Sequence, residues 1–272
     1  MTNSAEGEDS PGFLPARFSR RIFKLFLFVI RKKMRKDFHA VWMTPGTREV
    51  FEGLGKTDGP IIMAMNHVSW WDPLVGMLVQ GRFIPDHVLS APMDSTQLVK
   101  FGFFRRIGIF GINPDDPETL GIMNEWVAKL FEENPRAVFW IMPQGEFKDV
   151  REPVRPRPGI ATNAASHPEA RVYTFSMEYT FWNDSRPELC LHSRLIEPPE
   201  RITTPQWHKQ IKQGMQSSAD ELAALVRTRD EKKFDALVPP AASRINPLYD
   251  LWLKVRGKKG DLDVSHRAER KS

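Results

Sequence analysis

Ile61-Ile62-Met63-Ala64-Met65-Asn66-His67-Val68-Ser69-Trp70-Trp71-Asp72-Pro73 is the stretch on which the reading of this 272-residue chain turns. Its first five residues form an unbroken apolar run, the pattern of a buried strand. Its last two form a helix start, with Asp72 as N-cap and Pro73 at the first helical position. Strand and helix are joined by a short turn, the joint from which layered α/β folds are built. His67 falls at the strand end, and the turn folds it back toward the Asp72 side chain. An imidazole held by a carboxylate is the general-base half of a catalytic triad. No adjacent serine or cysteine supplies an obvious nucleophile, which assigns that part to a substrate. The plainer reading is a turn with a structural histidine and an N-cap aspartate.

Outward from this joint, the pattern repeats. A helix runs from Pro73 to about Gln80, a short strand covers 87–90, a helix 95–106 and a strand 107–113. Pro117 to Phe131 reads as a helix, with Asp116 as N-cap and Pro117 at its first position. Ala137-Val138-Phe139-Trp140-Ile141-Met142 is a second buried strand, followed by the turn Pro143-Gln144-Gly145-Glu146. Pro153, Pro156 and Pro158 stand among Arg151, Arg155 and Arg157, an extended cationic loop that either guides an anionic group or is simply solvated. A helix at 160–166 follows. Strands at 171–181 and 188–196 read as a pair across Asn183-Asp184-Ser185, and 206–229 as a charged amphipathic helix. Strands alternating with helices indicate an α/β fold, a mixed sheet flanked by helices. Trp42 to Pro60 reads as a loop or strand-like entry.

Asn66, His67, Ser69 and Asp72 stand in the order and spacing Asn-His-x-Ser-x-x-Asp. The segment resembles the first motif of the glycerophospholipid acyltransferase family, whose signature is H-x4-D. Its third motif, roughly Phe-Pro-Glu-Gly-Thr-Arg after a buried strand, corresponds to Pro143-Gln144-Gly145-Glu146-Phe147-Lys148. Pro143 and Gly145 match; Gln144, Glu146 and Phe147 replace glutamate, threonine and arginine. The second motif has its counterpart in 101–113, where Pro114 stands in place of the arginine and Arg105 and Arg106 lie earlier. The fourth falls at 171–178 without its proline. The resemblance covers roughly residues 40–195. It implies transfer of an acyl group from a thioester on coenzyme A or acyl carrier protein, with no tightly bound cofactor. His67 is then the general base and Asp72 its orienting partner. Asn66, Ser69, Arg105, Arg106, Pro143, Gln144, Gly145, Glu146 and Lys148 are the expected substrate-binding positions.

The departures bear on the acceptor. In the family, arginines of the second and third motifs are associated with an acceptor phosphate, which their planar fork grips in pairs. Both expected arginines are replaced here, and Glu146 adds negative charge where a phosphate would sit. The expected acceptor is therefore a neutral hydroxyl on a lipid or glycosylated lipid. The alternatives are a lysophosphatidic acid acceptor, an inactive lipid-binding homologue, or a hydrolase that activates water. The last lacks a Gly-x-Ser-x-Gly elbow.

Composition sets the frame. Hydrophobic content of 41% and charged content of 27% describe a globular chain with one core rather than a disordered one. The one cysteine, Cys190, permits no internal disulfide. The scattered histidines lack metal-ligand spacing, so no metal is expected. Nucleic acid is not expected as a partner, because no helix-turn-helix, zinc-finger or RNA-binding signature accompanies the net charge of +5. From Arg17 to Lys36 there are nine lysines and arginines and no acid. Within them, Ile22 to Ile30 is apolar apart from Lys24 and shorter than the roughly 20 residues that span a bilayer. That combination suits a helix lying on an anionic leaflet, or a core helix with a basic flank. The expected organisation is a disordered leader (1–16), a membrane-associating helix (17–42), the acyltransferase domain (43–240), and a C-terminal helix with a basic tail (241–272). The expected setting is the cytoplasmic face of a membrane.

Overall fold

The computed structural model describes residues 12–57, 59–240 and 255–256. In chain order these form α1 (Arg20–Asp37), β1 (Ala40–Met43), α2 (Thr47–Leu54), β2 (Ile61–Met65), α3 (Asp72–Phe83), β3 (Val88–Asp94) and α4 (Ser95–Lys100). A 3-10 segment, Gly102–Ile107, leads to β4 (Ile109–Ile112), α5 (Pro117–Glu133), β5 (Ala137–Ile141) and α6 (Gly159–Ser166). The chain continues as β6 (Arg171–Thr180), β7 (Glu188–Ile196), α7 (Thr204–Val226) and β8 (Asp235–Val238). One mixed sheet holds these strands in the order β4-β3-β5-β2-β6-β7-β1-β8.

From β4 to β6 neighbouring strands run parallel; β7 turns back against β6. Buried on both faces, β2 and β5 have no alternation and read as continuous apolar runs. One face carries α1, α2 and α3, whose Phe23, Phe51 and Val75 share a core with Met63 and Phe175 of the sheet. The other carries α5, α6 and α7, whose Val127, Ile160 and Ile211 pack on Ile62 and Phe139.

The two faces explain where a site can form. After β2 the chain crosses to β3 through α3 on the first face, and after the adjacent β5 it crosses to β6 through α6 on the second. Two neighbouring strands whose connections leave in opposite directions open a crevice at their carboxyl ends. His67 follows β2 and Pro143 follows β5, so the first and third motifs meet there.

Several expectations change. The helix expected over 17–42 ends at Asp37, and Ala40 to Met43 are a strand paired with β7 and β8. The stretch expected as an entry loop contains α2, started by Gly46 at φ 82° and burying Phe51 and Leu54. The glycines that suggested a loop are the ends of a short helix. Residues 12–16 are docked rather than trailing: Leu14 pairs with Gly111 on the edge strand β4, and Phe13 packs against Phe110 and Trp126. The expected C-terminal helix and tail lie outside the described residues, apart from 255–256. α1 buries Phe23, Leu27, Ile30 and Met34 in the core, so it is part of the domain and not an appendage. Among the described residues no helix is long and apolar enough to cross a membrane.

Candidate active site

Asp72 is fully buried, and its position comes from the turn that precedes it. The N-cap of α3 is Trp71, and Asp72 is the first helical residue, not the cap. Its carboxylate points back over the turn instead: Oδ2 accepts from the amides of Val68 (2.6 Å) and Ser69 (2.8 Å). The Nδ1 of His67 lies 2.9 Å from the same oxygen. The other oxygen accepts from the hydroxyl of Tyr179 on β6 at 2.7 Å. A buried carboxylate is stable only with such a set of donors. Together they fix the tautomer of His67, with the proton on Nδ1 and the lone pair on Nε2. Burial, and after it the charge of Asp72, pushes the Tyr179 phenol far above its ordinary value, so it stays a donor.

The rest of the first motif builds the turn. Asn66 exchanges two hydrogen bonds of 2.8 Å with the backbone of Met177, tying the end of β2 to β6. The hydroxyl of Ser69 accepts from the amide of Trp71 at 3.2 Å, leaving it engaged in the turn. His67 accepts at its carbonyl from the amide of Lys148 at 2.8 Å, which joins the first motif to the loop after the third. Phe147, at the place of the family arginine, sets its ring 4.2 Å from the His67 ring.

His67 opens on a cleft of about 630 Å³. That is within the range of small-molecule sites, and its walls are largely apolar, as such sites usually are. Ile112, Met123, Ile141 and Ile160 form its inner wall, and Trp70 and Phe147 stand at its rim. Pro143, Gly145 and Glu146 also line it. Gln144 is buried and is not among the lining residues, and neither is Lys148, whose ammonium is held 3.0 Å from Glu146.

Arg105 and Arg106 do not reach the cleft. They sit in the 3-10 segment, and Arg105 donates to the carbonyl of Pro15 at 2.9 Å. The expectation that they take over the phosphate-gripping role is not met by this placement. Arg157 is the cation that lines the cleft among the described residues. Its guanidinium donates to the carbonyl of Pro114 and packs on Gly145, where an added Cβ would lie 2.9 Å from Nε. Gly145 also has φ 74°, so a side chain there meets both strain and a clash. The Arg-Pro loop is plain in the sequence; that its last arginine turns onto the third motif is set by the fold. Cys190 lies buried in the sheet, its thiol pushed up by burial, so it offers no nucleophile.

A buried carboxylate thus holds an imidazole beside an apolar cleft, at the switch point of a mixed α/β sheet. The Acyltransferase family model matches residues 38–178, more than half of the chain, and the protein belongs to that family. No curated protein matches the chain.

Proposed function

We propose that the protein moves a fatty acyl group from a thioester, on coenzyme A or acyl carrier protein, to a neutral hydroxyl of a lipid or glycosylated lipid. The observation that carries this reading is His67, with Nδ1 engaged by Asp72 and its other nitrogen left to an apolar cleft. Nε2 of His67 takes the proton as the acceptor oxygen attacks the thioester carbonyl; the thiolate leaves and is protonated as the imidazolium gives the proton back. Asp72 stabilises that imidazolium. The cleft takes the acyl chain by burial of its methylenes, each worth about 0.8 kcal/mol.

The charges along the cleft favour a neutral acceptor. Among the described residues Asp94 and Glu146 line it with one lysine or arginine, Arg157, and Glu146 is paired with Lys148, so a phosphate there would find no cluster of arginines to grip it. Arg157 lies 3.8 Å from the Asp115 carboxylate and donates to the carbonyl of Pro114, and its half-exposed guanidinium can still meet an anionic part of the donor at the cleft edge. The chain's basic excess, concentrated before Asp37, supports work at an anionic, cytoplasmic membrane surface.

The test is thioester consumption by purified protein with each donor and an extracted lipid pool, beside His67→Ala. Loss of the general base lowers the rate by about 10²–10⁴-fold. Thiol release with a new acylated lipid, absent in the variant, is the expected result; equal rates for the two proteins would remove His67 from the chemistry. A preference for lysophosphatidic acid over neutral acceptors would keep the acyl transfer and overturn the acceptor.

A further inference from the structure

We infer that the rim of the cleft is a sugar subsite, in which Trp70 and Phe147 carry the ring of a glycosylated acceptor and present one of its hydroxyls to His67. This rests on the acyl-transfer reading above and narrows its acceptor from any neutral hydroxyl to one on a pyranose. The rim is built at the carboxyl ends of neighbouring parallel strands, β3, β5 and β2. Trp70 follows β2, Phe147 follows β5, and Asp94 and Gln97 stand where β3 runs into α4. Trp70 is 61% exposed and Phe147 50%. Neither ring is loose. Phe147 lies against the His67 ring, centroids 4.2 Å apart, and Trp70 stands nearly at right angles to Phe101, at 6.3 Å and 77°. Each is held from one side and keeps open surface on the cleft.

The proton transfer needs only His67 and Asp72; two large rings left in water beside them call for a ligand that covers them. The face of an aromatic ring is negative. The C–H groups on the face of a pyranose, made slightly positive by their oxygens, are its complement. Polar groups complete the match. Asp94 caps α4 with Oδ1 alone, accepting from the amides of Thr96 and Gln97 and from the Thr96 hydroxyl. Its Oδ2 and the Gln97 side chain have no protein partner among the described residues. Glu146 gives one oxygen to Lys148 at 3.0 Å and has the other to spare. A carboxylate accepts from hydroxyls, and an amide both donates and accepts, which suits a ring bearing several hydroxyls. A fatty alcohol offers one hydroxyl and no ring face, and glycerol offers hydroxyls without the face. In the reaction the sugar O–H gives its proton to Nε2 of His67 as its oxygen bonds to the acyl carbon. The C–S bond breaks, and the leaving thiolate takes that proton.

The experiment is titration of the full chain with octyl β-D-glucopyranoside and octyl α-D-mannopyranoside, each below its micelle concentration. The comparison ligand is octylglycerol, which has the same tail and free hydroxyls but no ring. Saturation-transfer NMR gives the affinity and reports which ligand protons touch the protein. At least one glycoside should bind about tenfold or more tightly than octylglycerol, with transfer to its ring C–H protons as well as its tail. Trp70→Ala and Phe147→Ala should each remove most of that preference while leaving octylglycerol binding within about twofold. Gln97→Ala should weaken the glycoside by about threefold, the loss of a solvent-accessible hydrogen bond. Unchanged thermal melting confirms that the variants are folded. Glycosides bound by wild type no better than octylglycerol overturn the subsite, as does a preference that survives in Trp70→Ala/Phe147→Ala. Binding needs no thioester, so the two readings can fail separately. A glycoside held by its ring but never acylated beside an acyl thioester keeps the rim as a sugar site and overturns acyl transfer. Acylation of octylglycerol as fast as of the glycoside keeps acyl transfer and overturns the sugar.

Discussion

Two backbone amides, a phenol and an imidazole nitrogen converge on the carboxylate of Asp72, and this residue organises the site more than His67 does. Tyr179 is the member of that set whose role can be isolated. Tyr179→Phe removes one hydroxyl and leaves Oδ1 buried without its donor, which costs about 1–3 kcal/mol. The rate should fall by less than in His67→Ala, because the bond from Nδ1 remains. Urea unfolding and thioester turnover measured on the same preparation check both halves; a variant as stable as wild type would mean that the carboxylate does not depend on the phenol. The His67–Asp72 pair was legible because its members stand five positions apart on one turn. Tyr179 was not, being 107 residues from Asp72 in sequence and brought beside it by the pairing of β2 with β6. The alternation along β6 does place Tyr179 on the face of Phe175 and Met177, both in the core shared with α1 and α3, but no local pattern says which element that face meets.

α1 and α3 approach through Gly81, and there two effects of opposite sign can be weighed. In an exposed helix interior, glycine to alanine stabilises by roughly 0.5–1 kcal/mol. At Gly81 the added Cβ would lie 2.0 Å from one methyl carbon of Leu27 and 2.8 Å from the other. Leu27 is buried, so it can move only by disturbing its neighbours, and overpacking of this kind costs about 1–3 kcal/mol. Gly81→Ala is therefore expected to destabilise the protein by about 1 kcal/mol, the balance of overpacking against the helix gain. In a Leu27→Ala background the clash is absent and the same change should stabilise. A double-mutant cycle by urea unfolding measures the coupling; additive effects would mean that the two helices are not in contact at this point. Elements with caps and prolines at their ends were legible, as Asp116 and Pro117 show for α5. α2 was not, because Gly46 and Gly55 at its two ends look in sequence like the glycines of a loop. β1 was not either, since an apolar tetrapeptide directly after a helix carries no period of its own.

At the scale of the molecule, burial links stability to pH, and the layout of the sheet links the site to specificity. Burial, with Arg136 adding to it, holds His87 below its ordinary 6.5, and burial does the same to His192. The contribution of a lowered histidine is whole above the unfolded value and is lost as pH falls through the folded one. Glu178 and Glu188, held up by burial, work in the opposite direction, their contribution being lost as pH rises. The net profile therefore blends both, and a single variant separates them: His87→Leu should gain on wild type in melting temperature as pH is lowered from 7 to 5, and a constant gap would show that His87 titrates normally. That strands and helices would alternate was legible, since period and length decide it; the order of strands was not, since it depends on pairings between residues far apart. Yet that order is what makes the inner wall of the cleft. Ile112, Met123, Ile141 and Ile160 come from β4, α5, β5 and α6, and Met123 is buried among them at the side away from the rim. If the acyl chain lies along this wall, Met123 limits its length. Met123→Ala opens room for further methylenes, and one methylene in an apolar pocket is worth about 1–3 kcal/mol in selectivity, or 10- to 200-fold. The ratio of kcat/KM for longer over shorter acyl thioesters should rise accordingly, while His67-dependent turnover persists. A variant with wild-type chain preference and a folded core would move the acyl chain off this wall and leave it to the acceptor.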